Sequence, residues 1–117
     1  MTGQTVDMLI YKIFRGPEWA DMQANGDTAG APIDLADGYI HLSGGDTVAK
    51  TAELYFADMD DLVLVAVEAD GLDKLKWEES RGGAAFPHLF RNLCMSDVVW
   101  HTSLPIVNGQ HEFPAEL

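Results

Sequence analysis

Apolar side chains recur along this chain in two rhythms, and each rhythm predicts a different kind of element. Met8-Leu9-Ile10-Tyr11-Lys12-Ile13-Phe14 and Leu62-Val63-Leu64-Val65-Ala66-Val67 are short apolar runs rich in β-formers. They are too short for core helices and apolar on both faces, so they read as strands inside a covered sheet. Lys12 is the only charge in the first run. From Gly38 to Ser43 the pattern alternates: Tyr39, His41 and Ser43 interleave with Ile40 and Leu42. In a strand that puts a phenol, an imidazole and a hydroxyl on one face and apolar groups on the other. Lys76-Trp77-Glu78-Glu79 and Val98-Val99-Trp100-His101 read as two further short strands.

The second rhythm is helical. Pro17 suits a first helical position and Gly26 a C-terminal cap, with Trp19 and Met22 one turn apart on a core face. Ser43 and Asp46 stand three apart and resemble a capping box for a helix from about Asp46 to Phe56. In that helix Val48, Ala52 and Tyr55 share one stripe. The free N–H groups at its start would lie beside the polar row, a favourable place for an anionic group. Asp27 to Asp37 holds Gly30, Pro32 and three aspartates, and reads as an ordered loop bordering a site. Arg81-Gly82-Gly83 reads as a further loop. Strands outnumber helices and do not alternate regularly with long ones, so the expected class is α+β.

Composition narrows this picture. With 117 residues the chain fits one domain, 1–117, with a core of about 9–105 and peripheral tails at 1–7 and 106–117. The formal charge is −12, from 19 acidic and 7 basic residues, which disfavours nucleic acid as a partner. A small anionic ligand is less constrained, because local N–H groups and one or two cations can outweigh the mean field. Cys94 is the single cysteine, so an intrachain disulfide and a cysteine-rich zinc site are excluded. No basic-then-apolar leader and no membrane-length apolar run is present, so the expectation is a cytoplasmic protein with no membrane partner. Oligomeric state is not legible.

The chemical shortlist is His41, Ser43, Glu78 and His88. Histidine titrates near neutrality and can act as acid, base or donor to phosphate. Phe86-Pro87-His88-Leu89 is rigid, because Pro87 fixes its own φ and extends Phe86, so His88 should be well aimed. Ser43 lies two residues from His41, roughly 6–7 Å along a strand, too far for a nucleophile–base hydrogen bond. With no Gly-x-Ser-x-Gly elbow, a serine hydrolase is not expected. No His-Glu-x-x-His and no i, i+4 histidine pair occurs, so no metal is expected. Glu78 follows Trp77, and a carboxylate beside an aromatic can stabilise developing positive charge. The central expectation is that His41 and His88, remote in sequence, face one cleft.

Ile10-Tyr11-Lys12-Ile13, Asp37-Gly38-Tyr39-Ile40-His41-Leu42-Ser43, Trp77-Glu78 and Phe86-Pro87-His88-Leu89-Phe90 together resemble a family of small bacterial proteins labelled domain of unknown function 952. The resemblance runs from about Leu9 to Pro105. That family is similar to a divergent branch of the ADP-ribosyltransferase superfamily, which includes the RNA 2′-phosphotransferases. The resemblance implies a split, mixed or antiparallel β-sheet with short helices and a cleft for NAD, ADP-ribose or a related nucleotide. By the same resemblance Tyr11-Lys12, His41 and Ser43 line the cleft; with the shortlist read from side-chain chemistry, His41, His88 and Glu78 are the expected catalytic residues and Tyr11, Lys12, Ser43 and Phe86 the expected binding residues. Lys12 stands where many superfamily members have histidine, and Phe90 replaces the tyrosine common after Phe-Pro-His-Leu. Three functions follow as expectations: an enzyme of ADP-ribosyl- or phosphoryl-transfer type, a non-catalytic ligand-binding module, or a protein-interaction domain. An RNA 2′-phosphotransferase is disfavoured, because only seven Lys and Arg exist to face the phosphates.

Overall fold

The structure, a computed structural model, describes residues 8–79 and 83–115. Its first half runs β1 (Leu9–Arg15), α1 (Gly16–Asn25), β2 (Asp27–Thr28), α2 (Pro32–Asp37), β3 (Ile40–His41), β4 (Ser43–Gly44) and α3 (Val48–Tyr55). The second half runs β5 (Leu62–Glu68), β6 (Leu75–Glu79), β7 (Ala85–Leu89), β8 (Leu93–Cys94), β9 (Val98–Ser103), β10 (Ile106–Val107) and β11 (Gln110–His111). The readings of residues 1–7 and of Arg81-Gly82 lie outside the described residues.

The two apolar runs pair as the centre of a four-stranded sheet of order β4-β1-β5-β9. β1 and β5 are antiparallel over their full length, from Leu9 opposite Glu68 to Arg15 opposite Leu62. Both faces are covered, which is why these strands do not alternate. On one face Ile10, Phe14, Val65 and Val67 pack with Trp19 and Met22 of α1 and with Ile40, Leu42 and Leu89. On the other, Tyr11, Ile13, Leu62, Leu64 and Ala66 pack with Val48 and Ala52 of α3 and with Leu104. A second sheet of three strands, β3-β7-β6, closes the first cluster from the far side. Two small pairings, β2-β8 and β10-β11, complete an α+β domain whose described strand pairings are all antiparallel.

α1 forms where Pro17 and Gly26 bracket it: Gly26 takes φ 87°, and its N–H donates to Met22 O at 2.8 Å. Three local readings are corrected. The Tyr39–Ser43 strand is broken at Leu42, whose N–H donates to Pro87 O at 3.0 Å. Ile40–His41 joins the three-stranded sheet and Ser43–Gly44 the four-stranded one, so His41 and Ser43 share no face. The Ser43–Asp46 capping box does not form, because the turn Gly45–Thr47 intervenes before α3. Ser43 Oγ instead meets Thr51 Oγ1 at 2.9 Å, and Tyr55 at the end of α3 is exposed while Phe56 packs on the core. Finally, Asp27–Asp37 is not a plain loop but contains β2 and α2.

Candidate functional site

The break at Leu42 places the two histidines side by side. His41 on β3 and His88 on β7 occupy directly opposed positions of an antiparallel pair. Opposed side chains lie on one face of a sheet. Their ring centroids are 5.4 Å apart, edge to face. The two sequence-remote imidazoles are therefore neighbours on one sheet face, with His88 buried at 8% exposure. On β6, Lys76 opposes His88 and Glu78 opposes Phe86, so both join the same face. Tyr39 lies across the pair. Its ring stacks on His88 at 4.3 Å and meets His41 at 4.7 Å and Phe90 at 5.0 Å.

Each imidazole is held by a carboxylate. His88 Nδ1 lies 2.7 Å from Glu78 Oε1. A carboxylate can only accept, so Nδ1 carries the hydrogen, and in the neutral tautomer the lone pair is on Nε2. His41 Nδ1 is hydrogen-bonded to Asp34 Oδ1 at 2.6 Å, and its Nε2 lies within ion-pair distance of Asp37 Oδ2, at 3.0 Å. The same Asp34 Oδ1 accepts the His41 backbone N–H at 3.0 Å.

Asp34 is the centre of this network, and sequence reading did not find it. It is 1% exposed and is the one buried side chain of α2. Its other oxygen accepts from Lys12 Nζ at 2.8 Å and from the Ala31 N–H at 2.7 Å. Burial pushes the Asp34 carboxyl up, but the Lys12 ammonium and the hydrogen bonds from Lys12 and His41 outweigh it and hold it below its usual 3.8. Gly30 makes the burial possible: a Cβ there would collide with the Asp34 carboxylate, and φ at Gly30 is 107°. Two signals pointed to Asp34. A lysine in a buried strand demands a counter-charge, and Pro32 to Gly38 repeats the Pro-start, Gly-stop grammar of α1.

The remaining site residues divide. Lys12 is 7% exposed, and its ammonium is taken up by Asp34 and by the His41 carbonyl at 3.1 Å, so it supports the site from beneath. Tyr11 and Ser43 oppose each other across β1 and β4 on the α3 side of the four-stranded sheet, away from the histidines. Phe86, half-buried, shares the histidine face by its register with Glu78. Of the residues read from sequence, His41, His88, Glu78 and Phe86 come together; Lys12 lies behind them; Tyr11 and Ser43 face elsewhere. The start of α3 instead borders a groove of 540 Å³ with Trp77, Ala84 and Ala85 on its other side. The lining of that groove includes neither histidine. Among the described residues no group of three His, Cys, Asp or Glu is arranged to hold a metal.

The motifs that build this face are those of a known family: the model for "Protein of unknown function (DUF952)" matches residues 13–101. The chain belongs to the DUF952 family. Its fold is shared by protein CC0527 from Caulobacter crescentus, known from both crystal and solution structures. The crystal structure is 47% identical, with a TM-score of 0.85 over 89% of this chain and 93% of that one. A crystal structure of its double mutant is 46% identical with a TM-score of 0.86 over the same shares. The solution NMR structure is 47% identical, with a TM-score of 0.80 over 88% of this chain and 90% of that one. No curated protein matches the chain. No helix among the described residues of this DUF952 protein is long and apolar enough to cross a membrane.

Proposed function

We propose that the histidine face binds NAD, ADP-ribose or a related nucleotide on an ADP-ribosyltransferase-like fold, and that His88 is its proton-transfer group. One observation carries the reading: two imidazoles stand 5.4 Å apart on one sheet face, each fixed at Nδ1 by a carboxylate. A fixed Nδ1 leaves His88 Nε2 as the atom that takes or gives a proton, with Glu78 holding tautomer and orientation. Glu78 is then a positioning residue, rather than the group that faces the anomeric carbon.

For an ADP-ribosyl substrate the chemistry balances as follows. The acceptor oxygen bonds to the anomeric carbon as that carbon's bond to the nicotinamide nitrogen breaks. The bonding pair leaves on that nitrogen and discharges it. The acceptor's proton passes to His88 Nε2, and the Glu78 carboxylate offsets the imidazolium that results. Tyr39 and Phe90 supply aromatic surface for a flat ring. His41 supplies an N–H toward a ribose hydroxyl or phosphate once the exposed Asp37 yields its place.

The test is isothermal titration with NAD, ADP-ribose and a 2′-phosphorylated nucleotide. Binding of at least one, with any turnover reduced about 10²–10⁴-fold in His88→Gln, is the expected result. Absence of heat with all three, at concentrations that report sub-millimolar binding, removes the proposal. The double occupation of His41 and the burial of the Lys12 ammonium favour a second reading, a module that binds without chemistry. Ligand binding with no turnover selects it, and hydrolysis or transfer that vanishes in Glu78→Gln removes it.

A further inference from the structure

We infer that Lys76 is the residue that binds an anionic group of the ligand on the histidine face, in the place the sequence offered to Lys12. The inference deepens the nucleotide reading by assigning its phosphate contact, and it rests on that reading only for the identity of the ligand. Register places it. Lys76 opposes His88, and His88 opposes His41, so the three form one row across three neighbouring strands. The chain carries seven lysines and arginines. Among the described ones, Lys12 is held by Asp34, Arg15 by Glu18, Lys50 by Glu53, and Arg91 by Asp73 and Asp97. Lys76 has no described carboxylate within ion-pair distance, although the chain holds 19 acidic residues.

The three carboxylates that meet the two imidazoles are already engaged: Glu78 by His88, Asp34 by Lys12 and His41, and Asp37 by His41. The Lys76 ammonium instead lies over the Phe90 ring, 5.3 Å from its centroid. A cation–π contact of this kind restrains the side chain without neutralising it. An anion approaching the row would therefore meet an uncompensated ammonium on the same face as His41, the more exposed of the two imidazoles. Lys74, also exposed and without a described carboxylate partner, is the natural control. Its side chain stands two positions before Lys76, beyond the row.

Inorganic pyrophosphate is the probe, titrated into the full chain and followed through the ring resonances of His41 and His88 by NMR. ADP-ribose is titrated in parallel. The wild type should bind pyrophosphate with both histidines shifting. Lys76→Gln should weaken it roughly tenfold or more, as for loss of a hydrogen bond to a charged group. Lys76→Arg should restore most of the affinity, and Lys74→Gln should stay within about twofold. Equal losses in the two glutamine variants, or no pyrophosphate binding by the wild type, would overturn the inference. If pyrophosphate binding depends on Lys76 but no nucleotide binds, the Lys76 assignment holds and the nucleotide reading falls. If ADP-ribose binds equally well to wild type and Lys76→Gln, the nucleotide reading holds and this assignment falls.

Discussion

Helices α2 and α3 are both short, and they are fastened to the molecule by opposite means. α3 turns Val48 and Ala52 into an apolar cluster and leaves Lys50, Glu53, Leu54 and Tyr55 outside, so what it buries is wholly apolar. α2 buries a charge instead: Asp34 turns inward while Ile33 and Leu35 stay 58% and 63% exposed. Apolar docking is non-directional, so it fixes where a helix lies but not the angle of any one side chain. Docking through one carboxylate is directional. Four donors meet Asp34, from Lys12, Ala31 and two atoms of His41, and they fix the ring of His41 as they fix the helix. The lesson is that α2 is less a part of the core than a positioning device for the histidine face.

The sharpest way to break this contrast is Asp34→Asn. Removing one partner of a buried ion pair costs about 3–5 kcal/mol, because the other charge stays behind unpaired. Denaturant unfolding should show that loss, and a Lys12→Met/Asp34→Asn double variant should recover the part due to the stranded ammonium. A full loss in the double variant would mean that the hydrogen bonds to Asp34, rather than the buried charge, hold α2. The same pair sharpens the contrast through pH. The folded-state carboxyl of Asp34 lies below 3.8, so its stabilisation is complete above that value and is lost as pH falls through the folded-state value. The stability gap between wild type and Asp34→Asn should therefore narrow as the solution is acidified below about pH 4.

Val48→Ala in α3 should cost less, about 2 kcal/mol for two lost methyl groups and the space they leave. Its difference from wild type should be the same at pH 3.5 and pH 7, since no titrating group is involved. A pH-dependent difference would erase the distinction between the helices. The smallest effect belongs to Asp37→Asn. Its contact with His41 is partly solvated on both sides, so the stability change should stay under about 1 kcal/mol. The ring resonances of His41 should move nonetheless. If they do not, the second carboxylate plays no part in holding the imidazole.

Sequence alone gave the strands that matter most, and for a clear reason. β1 and β5 are covered on both faces, and such strands announce themselves as unbroken apolar runs. It also gave the histidine pair, because His-Leu-Ser and Phe-Pro-His-Leu are compact motifs, and Glu78 beside them. It missed α2, whose inward residue is an aspartate among 19 acids in a stretch dense with glycine and proline. Amphipathic periodicity is blind to a helix that faces inward with a charge. It also placed Tyr11 and Ser43 at the site, since nothing in the alternation from Tyr39 to Ser43 shows that the chain changes sheets at Leu42. Lys76 was read only as one residue of a strand, because its importance lies in what opposes it across two strands.

The buried Lys12 bears on how the chain finds its alignment. β1 and β5 are both nearly featureless in polarity, and two such ribbons lose little greasy contact by sliding two positions past one another. In the native alignment the ammonium reaches Asp34 and the carbonyl of His41. After a slide it would be stranded in oil with no counter-ion, a penalty of several kcal/mol. One misfit charge thus serves as the notch that lets an otherwise interchangeable pair of ribbons lock in a single setting.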